Sequence, residues 1–299
     1  MKLFKSIGLF ATLIVLVLAC TTSAFAASNY CSDKLILRTQ GHIPDSVSHE
    51  LVPSDANLLP SDFPNGIIGD TDDRNVIGDT TVAPYLSIAA LKVTYPSGIS
   101  YGTGFMVSKN CMVTAGHNLI GASEKVRGEA AQSIVIFFGI YKSNGKLYCV
   151  HKKTVDPSTA LFYHNPNYTG NSGQAEYDYG FIKFNSDLEW DVGWWGLNAE
   201  NTSNLVGKNI TVTGYQDYVM KTHSGNVMSL YGNNGTNAMF RHSADTAKGQ
   251  SGSPVYLTEN NTVVGIHTYG FASPNIYNGA WRITPEFIQL LIKNNCLTL

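Results

Sequence analysis

From Tyr85 onward the chain is built of short runs rich in β-branched and aromatic residues, each broken by Gly, Asn or Ser. The first half contains Leu86 to Val93, Ser100 to Ser108, Ile134 to Tyr141 and Leu147 to Val155. The second half continues with Gly180 to Phe184, Asn209 to Tyr215, Thr222 to Tyr231, Ala238 to His242, Ser253 to Leu257 and Thr262 to Thr268. Many short strands at this spacing predict antiparallel sandwiches or barrels rather than alternating strand and helix units. The C-terminal end has a different period. There Thr284 can cap a helix, Pro285 can take its first position, Glu286 suits the dipole, and Phe287, Ile288, Leu291 and Ile292 form one apolar stripe.

Upstream of the strands the pattern changes twice. Residues 1–26 run from the basic Met1-Lys2-Leu3-Phe4-Lys5 through an apolar stretch, Ile7 to Ala19, to the small-residue end Ser23-Ala24-Phe25-Ala26, which reads as a secretory signal peptide cut after Ala26. Cys20 after Val17-Leu18-Ala19 resembles a bacterial lipoprotein site, which Leu18 fits poorly, so release from the membrane is the expectation. No later stretch approaches the roughly 18 apolar residues that a spanning helix needs. Residues 27–66 are polar, carry Pro44, Pro53, Pro60 and Pro64, and show little apolar periodicity, as expected of a propeptide or arm. Residues 67–299 then form the strand-rich domain.

Composition narrows the function. A net charge of −2 provides no basic field to gather phosphates, so a nucleic-acid partner is not expected. In the mature chain Cys31, Cys111, Cys149 and Cys296 are an even set in an oxidising compartment. Of the three pairings they allow, Cys111 with Cys149 is favoured, with Cys31 to Cys296 the remainder, and free buried thiols stay open. Asn-x-Ser/Thr triplets at Asn167, Asn201, Asn209, Asn234 and Asn260 matter only in a host that glycosylates.

Three short motifs carry candidate chemistry. Thr114-Ala115-Gly116-His117 follows the apolar Cys111-Met112-Val113, so His117 should emerge at a strand end as a general base. Tyr177-Asp178-Tyr179-Gly180 places a carboxylate just before an apolar strand, where burial demands a partner such as the ring N–H of His117. Asp187 and Asp191 lie in a looser polar stretch and are weaker candidates. Gly249-Gln250-Ser251-Gly252-Ser253-Pro254 sets a serine between glycines ahead of Val255-Tyr256-Leu257, so the backbone can turn tightly. Ser251 would be the nucleophile, and the N–H groups of Gly249 and Ser251 the oxyanion hole. Ser253, set against Pro254 where the strand begins, is the rival. The eight histidines are scattered, without a His-Glu-x-x-His or a close pair, so no metal is expected.

These motifs, in this order, resemble the chymotrypsin-like serine peptidases, and more closely the V8-like glutamyl endopeptidases, over roughly Ile67 to the C-terminus. The resemblance implies an all-β fold of two antiparallel six-stranded β-barrels with a C-terminal helix. His117 and Asp178 would come from the first barrel and Ser251 from the second, as a catalytic triad in the cleft between them. It also implies an endopeptidase acting on proteins or peptides, secreted, monomeric, without cofactor or membrane partner, that cuts after Glu and less readily after Asp. The pocket for that side chain would use His267, within Gly265-Ile266-His267-Thr268, and the hydroxyl of Thr246. Lys248 stands where relatives often have glycine, and leaves another primary specificity open. Ile67-Ile68-Gly69-Asp70 resembles the mature start of Bacillus members of the family, which places propeptide cleavage near Asn65 or Gly66 and suggests a zymogen. A silent relative that binds through the same cleft is the competing class, opposed by the intact His117, Asp178 and Ser251.

Overall fold

The computed structural model describes residues 66–232, 236–270 and 276–298, together with the backbone of Glu50–Leu51. The proposed signal peptide lies outside the described residues, as does nearly all of the proposed propeptide. In chain order the strands are β1 (Glu50–Leu51), β2 (Asn75–Val76), β3 (Ile88–Tyr95), β4 (Gly98–Ser108), β5 (Cys111–Thr114), β6 (Ser133–Ser143), β7 (Lys146–Val155), β8 (Ala160–His164) and β9 (Gly180–Phe184). They continue with β10 (Asn209–Gln216), β11 (Val219–Tyr231), β12 (Met239–His242), β13 (Pro254–Leu257), β14 (Val263–Tyr269) and β15 (Asn278–Arg282). Among the described residues the α-helices are α1 (Thr202–Leu205) and α2 (Pro285–Lys293).

The strands form two antiparallel sheets. The first has eight strands in the order β1-β7-β6-β3-β4-β5-β9-β8. The second has the order β10-β13-β14-β15-β12-β11-β2, and pairing of β10 with β11 closes its six inner strands into a barrel. Two hairpins show how local chemistry sets this register. Asn144 and Gly145, at φ 49° and 77°, link β6 to β7, and Asp217 and Tyr218, at φ 50° and 64°, link β10 to β11. A two-residue turn with positive φ at both positions matches the right-handed twist of the strands it joins.

Alternation of side chains across each strand explains why so many strands are buried on both faces. In β6, Ile136 and Phe138 fill the interior of the first sheet with Leu91, Met106 and Ile182, whereas Phe137 between them faces the other half of the molecule. In β13, Val255 and Leu257 line the second barrel with Ile210 and Phe240, whereas Tyr256 turns outward. The outward set meets in a third cluster, between the sheets, where Phe105, Phe137, Phe181, Tyr215, Ile266 and Trp281 pack together. Helix α2 closes this cluster with Phe287, Ile288 and Leu291. The Thr284 hydroxyl caps it by accepting from the Phe287 N–H at 3.2 Å, as its sequence predicts.

Strands β8 and β15 were not among the predicted runs. Asn-Gly-Ala-Trp-Arg in β15 contains no β-branched residue, and its strand conformation comes from being held between β14 and β12. The cysteines also depart from expectation. Cys111, Cys149 and Cys296 are buried, and none forms a disulfide with another of the three. Cys111 is on β5 and Cys149 on β7, with β6, β3 and β4 between them, whereas a disulfide needs Cα atoms closer than about 7 Å. Cys111 instead lies against Cys296, and burial pushes its thiol pKa up. Cys31 lies outside the described residues. Among the described residues, no helix is long and apolar enough to cross a membrane.

Candidate active site

Strand pairing brings together two residues 61 positions apart. β5 and β9 are antiparallel neighbours with Thr114 opposite Gly180, so the turn after β5 and the approach to β9 end side by side. The chain leaves β5 through an extended Ala115 into a 3-10 turn, Gly116–Asn118, that carries His117. Asp178 caps the end of the 3-10 stretch Ser172–Tyr177. One carboxylate oxygen of Asp178 accepts from the His117 backbone N–H at 2.8 Å, and the other lies 2.7 Å from His117 Nδ1. Both side chains are 7% exposed. The carboxylate therefore fixes backbone and ring together and assigns the ring proton to Nδ1, leaving Nε2 able to accept. Gly116 is needed here, since a Cβ on it would lie 3.0 Å from the Tyr179 nitrogen and 3.1 Å from the Asp178 carboxylate. Behind the turn, the Tyr95 hydroxyl donates to the His117 carbonyl at 3.1 Å. Burial, reinforced by the nearby Asp178 and Glu129 charges, pushes that hydroxyl's pKa up, so it stays a donor.

Ser251 belongs to a turn at the mouth of the second barrel. The Gln250 N–H donates to the Ala247 carbonyl at 3.0 Å and the Ser253 N–H to the Gln250 carbonyl at 2.9 Å. Gly249 and Gly252 adopt φ of 91° and 90°, which residues with a Cβ rarely do. A Cβ on Gly252 would also collide with the Thr103 carbonyl and the Thr114 hydroxyl. The amides of Gly249 and Ser251 donate to no other described residue. His117 and Ser251 line one cleft together with Tyr101, Val126, Lys248 and Gly249. Ser253, the rival nucleophile, is fully buried. Asp187 accepts from the Asn110 amide at 2.8 Å and Asp191 from the Gly193 N–H at 3.2 Å; His117 is paired with neither.

Sequence reading missed what holds the two turns in register. Thr103 on β4, which is fully buried, donates its N–H to the Ser251 carbonyl at 2.8 Å and its hydroxyl to the Gly249 carbonyl at 2.8 Å. The same hydroxyl accepts from the Tyr215 N–H at 3.0 Å. The Asn118 side chain, next to His117, donates to the Ser251 carbonyl at 3.0 Å and to the Thr114 hydroxyl at 2.8 Å. The Thr114 hydroxyl in turn donates to the Thr103 carbonyl at 2.7 Å. Thr114 lies inside the histidine motif, but only the fold gives it a partner on β4. Thr103 sits in an ordinary Gly-Thr-Gly stretch that offers no signal by itself.

The residues expected to read the substrate side chain lie immediately behind Ser251. On β14 the His267 carbonyl accepts from the Gly252 N–H at 2.7 Å, and its N–H donates to the Ser253 carbonyl at 2.9 Å. Thr246 and His267 are 1% and 2% exposed, and neither the Thr246 hydroxyl nor His267 Nδ1 has a hydrogen-bond partner among the described residues. Burial drives the His267 pKa well below its ordinary value, with lesser contributions from His242 and His117. The ring is thus neutral, which favours the hydrogen-bonding role over the ion-pairing one. His242 on β12 was not anticipated. It is fully buried, its ring lies 5.6 Å from that of His267 at 70°, and burial pushes its pKa down to about 3. Arg241-His242-Ser243 has no distinctive spacing that would have revealed it.

The start of the strand-rich domain reaches this pocket as well. The Gly66 carbonyl accepts from the Thr246 N–H at 3.0 Å and from the Asn278 amide at 2.6 Å, and a Cβ on Gly66 would strike the Thr246 hydroxyl. Asp245, 2% exposed, accepts from the backbone N–H groups of Ile68 at 2.7 Å and Asp73 at 3.2 Å. Among the described residues, no group of three or more His, Cys, Asp or Glu side chains is placed to hold a metal ion.

Comparison with known proteins places this geometry in context. Residues 102–266 match the family model described as a trypsin-like peptidase domain. A Bacillus subtilis (strain 168) protein named extracellular metalloprotease is 34% identical over 229 residues, 75% of this chain and 67% of that protein. A glutamyl endopeptidase of Bacillus licheniformis is 30% identical over 236 residues, covering 75% of this chain and 67% of its own length. Among solved structures, one of a Glu endopeptidase superposes with a TM-score of 0.59 at 26% identity, over 77% of this chain and all of the other.

Proposed function

The chain belongs to the trypsin-like peptidase family as a serine endopeptidase of the glutamyl endopeptidase type, and on that premise we propose that it is secreted and cleaves peptide bonds after Glu, less readily after Asp. In this reading Ser251 Oγ attacks the scissile carbonyl while His117 Nε2 takes its proton. Asp178 holds the Nδ1–H tautomer and stabilises the imidazolium that forms. The N–H groups of Gly249 and Ser251 receive the developing oxyanion, a role that suits two amides without acceptors of their own. His117 then returns the proton to the leaving amine, and water, activated by the same base, releases the acyl group from Ser251.

The observation that carries the specificity is the pair of buried polar atoms behind the nucleophile, Thr246 Oγ1 and His267 Nδ1, which have no hydrogen-bond partner among the described residues. Burying polar groups unpaired costs roughly 1–3 kcal/mol each. A substrate carboxylate would recover that cost through charge-assisted hydrogen bonds, whereas an apolar side chain would leave both atoms unsatisfied. Lys248 at the cleft adds a cation that favours an acidic residue nearby. Residues 1–26 would direct export, and residues 27–66 would be removed near Asn65 or Gly66.

The deciding experiment is hydrolysis of matched peptides that differ only in Glu, Asp, Gln, Lys or Phe before the scissile bond, comparing wild type with Ser251→Ala. Cleavage after Glu, lost in the variant, is expected. Cleavage after Lys or Phe would overturn the pocket assignment and leave the chemistry, and no cleavage by processed protein would overturn both.

A further inference from the structure

Arg74 lies immediately before β2, yet its guanidinium is almost fully buried, with 2% of the side chain exposed. Its Nε and Nη2 donate to the two carboxylate oxygens of Asp72, each at 2.8 Å, in a forked pair. Nη2 also donates to the Gln216 side-chain oxygen at 2.8 Å, and Nη1 donates to the Gln250 side-chain oxygen at 2.8 Å. Gln250 immediately precedes Ser251 and is fully buried. Its side-chain oxygen accepts a second hydrogen bond from the Ala247 N–H at 2.9 Å, and its side-chain nitrogen donates to the Lys221 carbonyl on β11 at 3.2 Å. Both the side chain and the main chain of Gln250 therefore act on the turn Ala247–Gly252, and the side chain is anchored from outside that turn by Arg74.

We propose that Arg74 is a positioning residue for catalysis, which acts through Gln250 to hold the turn that presents Ser251 and the Gly249 amide. The inference rests on the peptidase reading above and extends it to a residue that touches neither substrate nor reacting atoms. Planarity and reach explain the choice of arginine. One guanidinium spans Asp72, Gln216 and Gln250 at once, which a lysine ammonium on a single stem does not. The segment keeps other anchors when the guanidinium is removed: the Asp73 N–H is held by Asp245, and β2 pairs with β11 at Lys221 and Thr222. Removal of the guanidinium leaves Asp72 with Lys221 at 3.1 Å, so no buried charge is stranded and the barrel retains its core.

The test compares Arg74→Met, Arg74→Lys, Gln250→Met and the Arg74→Met/Gln250→Met pair in processed protein, per folded molecule as counted by circular dichroism and urea unfolding. Two rates are read: kcat and KM on a Glu peptide, and phosphonylation of Ser251 by a small neutral phosphonofluoridate. That reagent needs the nucleophile and oxyanion amides but not the pocket. Each single Met variant is expected to lower kcat and the phosphonylation rate roughly tenfold to a hundredfold, with KM within about threefold, because sub-ångström displacement at the reacting centre is costly. Arg74→Lys should fall between. The double variant should lose no more than the worse single one, as for residues acting through one contact. Unchanged rates per folded molecule, or losses that multiply in the double variant, would overturn the proposal. Should Arg74→Met not fold, Gln250→Met decides alone, with unchanged rates overturning it. Failure of wild type to hydrolyse peptides or to be labelled at Ser251 would remove the premise itself, whereas loss of the Arg74 effect alone would leave that premise standing.

Discussion

The junction between the two turns and the pocket behind Ser251 are both buried and polar, and they treat polar atoms in opposite ways. At the junction Thr103, Thr114 and Asn118 direct their side-chain donors to named acceptors between 2.7 and 3.0 Å, so the turns bearing His117 and Ser251 are locked to each other. In the pocket Thr246 Oγ1, His267 Nδ1 and both His242 ring nitrogens have no hydrogen-bond partner among the described residues. A fully satisfied network is rigid and serves geometry, while unsatisfied desolvated groups are poised to bind something of complementary chemistry. Under the proposed function, one region would position reacting atoms for every substrate and the other would select among substrates.

Substitutions can break or sharpen this contrast. The largest effect is expected in the machinery itself: Ser251→Ala should lower kcat on the order of 10⁶-fold and Asp178→Asn on the order of 10⁴-fold, the latter by removing the tautomer control of His117, as measured by steady-state hydrolysis. Thr103→Val keeps the shape of the junction but deprives the Tyr215 N–H of its acceptor and the Gly249 carbonyl of its donor. It should cost about 2 kcal/mol in urea unfolding and lower kcat on Glu and Gln peptides by the same factor. Thr246→Val should leave kcat on a Gln peptide nearly unchanged and reduce the preference for Glu over Gln about tenfold. A uniform loss on both peptides would show that the pocket and junction are not separable in this way.

A separate readout of the buried histidines is pH-dependent stability. In the unfolded chain a histidine titrates near 6.5, whereas burial holds His242 neutral down to about 3 and lowers His267 in the same direction. Below pH 6.5 the unfolded state therefore binds protons that the native state does not. Stability then falls as pH drops, by about 1.4 kcal/mol per pH unit for each such histidine, until the native group itself titrates. His242→Asn should flatten this slope between pH 6.5 and 4.5 in urea unfolding. Asp72, whose carboxyl is held low chiefly by its hydrogen bonds to Arg74, contributes in the same sense at lower pH.

The serine turn and helix α2 were legible because their physics is local. Glycines at positive φ around Ser251, and a Thr cap followed by Pro and an apolar stripe in α2, are properties of consecutive residues. Most longer strand runs were legible from their composition; β8 and β15 were not, and in β15 polar and small residues are held extended by β12 and β14. The cysteine pairing was misjudged because strand-like surroundings do not reveal which strands are neighbours. The order of the first sheet separates Cys111 from Cys149 and brings Cys111 to Cys296 at the end of the chain.

The sequence alone determined the all-β class, the C-terminal helix, the family and the candidate chemistry of His117, Asp178 and Ser251, because each depends on residue types at short spacing. Only the tertiary structure decided that Thr103 and Asn118 join the two turns, that His242 stands behind His267, and that Arg74 reaches Gln250 across 176 positions. Those contacts are set by sheet order and by burial, and a hydrogen bond between distant residues leaves no period or composition in the chain from which it could be read.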